Sequence, residues 1–332
     1  MNSAESFCEQ IGLEIPVVQA GMGGGVTTGE LVGAVSAAGG LGTVGIMGDH
    51  AFNATLGKAR RIAGPKRPIA ANLLVPFVHQ SHIDICAEQH VSVVTLLGVG
   101  AERWIHALHA RGIPVHITVG DAEQAQRAIA AGADGLVAQG IEAGGHHMAV
   151  KPLAQALPEI LDVAAGRPVL AAGGVADAED VRRLLAAGAM AAIAGTRFLL
   201  TDESGAHPEY QRRVLEAKQT LRTQLFSFGW PLPHRVIPNA ATERWCGRDG
   251  TAPAWIRSIG RVASPVSRVI PLSALGTVAK LQRVNLGLFT ATLPLRSMPA
   301  EFADRTALYA GETLHRLRDI IPAAEAVARL AP

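Results

Sequence analysis

The residue types best suited to chemistry lie close together in one segment, Ala138-Gln139-Gly140-Ile141-Glu142-Ala143-Gly144-Gly145-His146-His147. An apolar run ends there in an amide side chain. Consecutive glycines then let the backbone lie against a flat ligand, and the histidine just past them titrates near neutrality, where it can take or give a proton. His146 is the expected catalytic group; His147 is expected to point the other way. Two more glycine turns, Gly173-Gly174 and Gly195-Thr196-Arg197, each follow a short apolar run. Such turns expose bare backbone N–H groups that bind phosphate where no side chain blocks the approach. The segment GMGGGV from Gly21 nearly spells a dinucleotide fingerprint. However, Val26 replaces its third glycine, and no acidic residue ends the following run, Leu41 to Gly45, to hold a ribose.

These groups need a scaffold, and the chain supplies a regular one. Short apolar runs recur at Pro16–Gln19, Leu41–Gly45, Pro68–Leu74, Ser92–Gly98, Pro114–Val119, Asp134–Gln139, Pro168–Ala172 and Met190–Gly195. Helix-like stretches lie between most of them, with Thr28, Asp121 and Asp177 placed as N-caps and glycines closing the last turn. Strands alternating with helices imply a parallel sheet. GDAEQAQRAIAAGADGLVAQG from Gly120 also overlays ADAEDVRRLLAAGAMAAIAGT from Ala176, so one strand-helix-strand pattern occurs twice. Eight strands with such symmetry are expected to close as a (β/α)8 TIM barrel, which removes both sheet edges. The two glycine turns then follow strands seven and eight, where many such barrels hold phosphate.

The rhythm implies a barrel over residues 1–211. Residues 212–286 hold Trp230, Trp245 and Trp255 with no clear strand alternation, so a mainly helical inserted subdomain is expected, either a small core or a lid lending the pocket an apolar wall. Residues 287–332 return to the barrel, and Phe302 to Leu330 is expected to be its last helix, on the apolar spacing of Leu314, Leu317, Ile321, Ala324 and Val327.

Composition narrows the function. The 332 residues are 48% hydrophobic and 17% charged, which excludes disorder and coiled coil. Thirty basic residues against 28 acidic ones give +2, dispersed as singlets and pairs, so no nucleic-acid footprint appears and a small, weakly charged ligand is expected. Three cysteines without C-x-x-C spacing support neither a disulfide framework nor a zinc site and suggest a reducing, cytoplasmic setting. The start lacks the features of a signal peptide, and no run is long enough to span a membrane. His79 and His82, with His90, His106 and His109, read as a solvated helix face, and no metal is expected. No lysine ends an apolar run, which argues against a Schiff-base aldolase.

The opening PVVQAGMGGGVTTGELVGAVSAAGGLGTVG, ANLLVP at Ala71, VAQGIEAGGH at Val137, PVLAAGGVAD at Pro168 and AGTRFLLTDES at Ala194 resemble the nitronate monooxygenase family, formerly called 2-nitropropane dioxygenases. The resemblance covers roughly the first 210 residues, with an echo in LYAGETLHRLRDIIPAAE from Leu308. It implies an FMN-binding barrel that oxidises an alkyl nitronate or nitroalkane and then reacts with O2. By position, Gln19, Ala20, Gly21, Met22 and Asn72 would face the flavin ring, and Gln139 and Gly145 would lie beside it. Gly173, Gly174, Gly195 and Thr196 would hold the phosphate, and His146 would match the family's catalytic histidine. Relatives that share these motifs include flavin enoyl-acyl-carrier reductases and quinone reductases driven by NAD(P)H. Thr118 stands where some of them carry a lysine, and the region around FGWPLPHRVIPNAATERW matches the reductases poorly. Homodimerisation is left open.

Overall fold

A computed structural model describes residues 3–228, 230–263, 272 and 275–332. All eight apolar runs become parallel strands: β1 Val17–Gln19, β2 Gly42–Gly45, β3 Ile69–Leu74, β4 Val93–Leu97, β5 Val115–Val119, β6 Gly135–Gln139, β8 Val169–Ala172 and β9 Ala191–Ala194, with the short β7, Gly145–His146, outside the ring. Each barrel strand pairs with its neighbour in the order β1-β9-β8-β6-β5-β4-β3-β2. A bridge between Val18 and Leu41 completes the circle, Leu41 N donating to Val17 O and Gln19 N to Leu41 O, both at 2.9 Å. The interior is packed rather than hollow. Val18, Leu41, Ala70, Val93, Val137, Leu170 and Ala191 fill it, and Phe7 of the first helix, α1 Ser3–Ile11, joins them.

The surrounding helices are α2 Gly29–Ala37, α3 Asp49–Ala63, α4 Gln80–Glu88, α5 Glu102–His109, α6 Ala122–Ala130, α7 Leu153–Val163 and α8 Ala178–Ala186. Three of them start where the sequence places caps. Thr28 Oγ1 accepts from Leu31 N, Asp121 from Gln124 N, and Asp177 from Glu179 N and Asp180 N, which satisfies donors that have no partner within the helix. The two repeats also end alike, with Gly132 at φ +99° and Gly188 at φ +101°, a left-handed turn that disfavours a Cβ.

After β9 come α9 Thr196–Leu199 and α10 Pro208–Glu216. The inserted region is less helical than its sequence implies. Leu221–Thr223 (β10) pairs antiparallel with His234–Val236 (β11), and β11 pairs with β7. Three-residue strands are too short to display alternation. The helices α11 Ala240–Trp245, α12 Ala254–Val262 and α13 Leu275–Leu281 follow. Leu225, Phe226, Val236, Ala252, Ile256 and Phe289 form a separate small core there.

The chain end differs from the single helix expected over residues 302–330. Only α14, Ala323–Leu330, is α-helical; it starts after Pro322 and packs on α2 and α8. Leu314 and Leu317 belong to a different apolar cluster, with Leu199, Tyr210 and Leu308, so their spacing does not mark one helix face. His82 also departs from the solvated face expected of it. It is fully buried, with Nε2 3.0 Å from Met47 O and Nδ1 accepting from His79 N, so it caps α4 from inside. Among the described residues, no three His, Cys, Asp or Glu side chains are grouped to hold a metal, and no helix is long and apolar enough to cross a membrane.

Candidate active site

Parallel closure gathers the C-terminal ends of all eight strands at one mouth. Gln19 ends β1, fully buried; its Oε1 accepts from Thr43 N of β2 at 3.0 Å, and its amide donates to Ala20 O. Asn72 on β3 donates from Nδ2 to Gly21 O at 2.9 Å, and a Cβ on Gly21 would collide with the Asn72 side chain. Thr27 locks the same turn, giving its hydroxyl proton to Met22 O and accepting from Gly45 N. The β1 turn is therefore pinned to β2 and β3 by side chains, and its geometry does not depend on a ligand. Ala20 N donates to Ala194 O at 2.9 Å, which brings the turn beside Gly195 at the end of β9.

Gln139, at the end of β6, holds the histidine loop. Its Nε2 donates to His146 O at 2.9 Å, and its Oε1 accepts from Met148 N at 2.8 Å and Ala149 N at 3.3 Å. Gly173 and Gly174 end β8 with φ of +130° and +72°. Thr196 Oγ1 accepts from Gly311 N at 2.9 Å and keeps its own proton to donate. Gly311 belongs to an extended strap, in which Tyr309 bridges Val236 and Glu312 N donates to Glu142 O.

His146 sits in an aromatic cage. Its ring stacks on Trp230 at 4.0 Å and lies 5.1 Å from His234 and 5.4 Å from Tyr309. Its Nε2 is buried and has no hydrogen-bond partner. Burial, with His234 and His147 nearby, holds its pKa well below the usual value, so the ring is neutral at pH 7. His147 is held elsewhere, with Nε2 2.6 Å from Ala143 O and Nδ1 accepting from Arg222 Nε at 3.3 Å. The sequence did not single out Thr27, Thr43, His234 or Tyr309 for this mouth. Thr27 and Thr43 lie within the opening motif, His234 within FGWPLPHRVIPNAATERW and Tyr309 within LYAGETLHRLRDIIPAAE, but only the fold brings the four together.

Several buried imidazoles make the fold acid-sensitive. Burial lowers His116 on β5 and His147 to about 4, and His234 to about 3. The unfolded chain binds protons at these groups below about pH 6.5 while the folded chain does not, so their stabilisation is complete above that pH and is lost as pH falls toward 4. Each costs on the order of 3 kcal/mol at pH 4. The melting temperature is expected to hold from pH 8 to 6.5 and drop steeply from 6 to 4. A profile flat to pH 4.5 would contradict these burials. Carboxylates such as Glu209, lowered to about 2 chiefly by Arg212, lose their contribution from about pH 4.5 downward, at the acid end of that window.

The mouth suits a flat, polar-edged anion. Asn72 Oδ1, Thr43 Oγ1 and His146 Nε2 are buried without partners, an arrangement that costs free energy unless something else satisfies them. Beside them the glycines leave room. A Cβ on Gly145 would meet nothing within 4 Å, one on Gly174 only Thr313 Cγ2 at 4.0 Å, and one on Gly195 only Ala20 Cβ at 3.6 Å. A flavin ring with a phosphate tail fits both observations.

The fold and its mouth define a TIM-barrel oxidoreductase. The family profile described as nitronate monooxygenase matches residues 5–99 and 75–332, and the chain belongs to that family, which is flavin-dependent. The nitronate monooxygenase of Pseudomonas aeruginosa is 32% identical over 268 residues, covering 67% of this chain and 76% of that enzyme. A Mycobacterium tuberculosis protein, (3aS,4S,5R,7aS)-5-hydroxy-7a-methyl-1-oxo-octahydro-1H-indene-4-carboxyl-CoA dehydrogenase, is 32% identical over 246 residues, covering 71% of this chain but only 66% of that protein. The structure of nitroalkane oxidase from Streptomyces ansochromogenes superposes with a TM-score of 0.73 at 25% identity, covering 98% of this chain and 96% of that one. FabK from Thermotoga maritima, at 22% identity and a TM-score of 0.74 over 98% and 94% of the two chains, shares the fold.

Proposed function

We propose that the chain is an FMN-dependent enzyme that oxidises alkyl nitronates, with O2 as the final electron acceptor. The observation that carries this reading is His146: a buried, neutral imidazole with an unpartnered Nε2, held by Gln139 at the same mouth as the glycine cradle. Gly173, Gly174, Gly195 and Thr196 would hold the phosphate, while Gln19 to Met22, Asn72, Gln139 and Gly145 would line the ring. FMN supplies, when bound, the two-electron acceptor that O2 reoxidises. His146 then has two roles according to the substrate's charge. Toward a neutral nitroalkane, its lone pair takes the α-proton; toward a nitronate anion, its N–H donates to a nitro oxygen and orients it. Trp230 and Tyr309 wall the imidazole off from water and keep it neutral. In this reading residues 212–286 act as a fixed lid over the barrel of residues 1–211, and residues 287–332 fasten it.

A second reading, a dehydrogenase or reductase that exchanges hydride with a nicotinamide cofactor, is favoured by the M. tuberculosis dehydrogenase, as similar in identity as the nitronate enzyme. Anaerobic mixing separates them. Bleaching of the flavin by a nitronate and not by NAD(P)H supports the first reading; fast bleaching by NAD(P)H alone overturns it in favour of the second. Mass spectrometry of the released cofactor is expected to give FMN. FAD as the sole cofactor would overturn the single-phosphate cradle.

A further inference from the structure

Charge is unevenly divided along the chain. Residues 212–286 carry twelve basic and three acidic side chains, +9, so the remaining 18 basic and 25 acidic residues carry −7 of the +2 total. Part of the excess is neutralised by ion pairs: Arg212 and Arg213 to Glu209, Arg213 to Asp304, and Arg235 to Glu312. Arg222 and Arg257 are different. Among the described residues neither forms an ion pair, and both line a cavity of about 150 Å³ together with Thr223, Pro233, Gly250 and Thr251. Arg257 Nε is buried there without any partner. A carboxylate close by, Asp249, is engaged by Thr251 N and Oγ1 at 3.0 and 2.7 Å.

The cavity is tied to the candidate site by strand register. Thr223 lies opposite His234 on β11, and His234 lies opposite His146 on β7. Two strand spacings, about 10 Å, therefore separate Thr223 from His146. Arg222 touches the same loop, donating to His147 Nδ1 and to Ala149 O, both at 3.3 Å. At about 30 Å³ per water molecule, the space holds about five waters, room for a phosphate group. Guanidinium groups that line such a space without a carboxylate partner are suited to hydrogen-bonding an oxyanion, Arg257 through its fork and Arg222 through the N–H groups left over from His147 and Ala149.

We propose that Arg222 and Arg257 form an anion subsite for the phosphate of a phosphorylated organic substrate or co-substrate whose reacting end reaches His146. This subsite is separate from the flavin cradle and rests on the second reading of the reaction, because a thioester carrier and a nicotinamide dinucleotide bear phosphate and a simple alkyl nitronate does not.

Isothermal titration calorimetry of the FMN-loaded protein tests it, with coenzyme A, NADPH and inorganic pyrophosphate as probes at about 0.15 M salt. At least one of the first two is expected to bind, with its Kd raised about tenfold or more by Arg257→Gln and by Arg222→Gln. Arg261→Gln, on the same helix but outside the cavity lining, is expected to change Kd less than twofold. Binding of coenzyme A alone identifies the thioester source, and binding of NADPH alone the dinucleotide source. Binding of neither at millimolar concentration, or of pyrophosphate alone, overturns the proposal. So does an equal loss in all three variants, which would indicate a diffuse field. Because the readout is binding, a failure here leaves the nitronate test unaffected.

Discussion

His146→Ala is expected to slow flavin reduction by a neutral nitroalkane about 10²–10⁴-fold, the range supplied by a positioned general base. The loss with preformed nitronate is expected to be much smaller, because the α-proton has already gone and only an orienting hydrogen bond is removed. The structure sets this contrast. Trp230 on one face and His234 and Tyr309 nearby fix the imidazole, and burial keeps it neutral, so no proton must first be lost before it can act as a base. His147→Ala is the comparison, since that ring is occupied by Ala143 and Arg222. Stopped-flow bleaching under anaerobic conditions, with both substrate forms, gives the rates. Losses that are small and alike in the two variants would remove His146 from the chemistry.

Gly174→Asp is expected to empty the protein of its flavin while leaving it folded. At φ +72° the backbone is in a region that aspartate tolerates better than most residues, and an added Cβ meets only a methyl group at 4.0 Å. The carboxylate would instead occupy the space left open for phosphate. Two unit charges 4 Å apart at an effective dielectric of 20 repel by about 4 kcal/mol, about a thousandfold in affinity. Fluorescence titration with FMN, alongside a melting curve, measures both halves of this expectation. Unchanged affinity would place the cradle elsewhere.

What could be read from the chain alone was what depends on near neighbours in sequence. Eight strands, three N-caps and two matching glycine turns follow from spacing, because each is decided by residues within about four positions of one another. The β10–β11 pair escaped notice because three residues per strand leave no pattern to see, and its register is set by β7, which lies 88 positions before His234 at His146. The buried place of His82 is not visible in its own helix, because Phe52 packs on its ring and the Met47 carbonyl of another loop pairs its Nε2. The apolar positions from Leu314 to Val327 mimic one helix, although Leu314 and Leu317 serve one core, Ile321 and Val327 another, and Ala324 is exposed; the helix itself starts only after Pro322. The glycine turns and His146 were legible as motifs. The cage around His146 was not, since Trp230, His234 and Tyr309 reach it through β11 and the strap.

The strap from Tyr309 to Glu312 has a bearing on the order in which the protein is made. It joins Val236 of the insertion to Glu142 and Thr196 of the barrel, and α14 closes the ring of helices between α2 and α8 only after it. All eight barrel strands precede both pieces by more than a hundred residues, so during synthesis they are free to pair while the mouth still lacks a wall. Everything up to Gly311 must leave the ribosome before Gly311 can meet Thr196. The contact that fixes the Thr196 hydroxyl is thereby among the last to form, on a barrel whose hydrogen-bonded ring already exists.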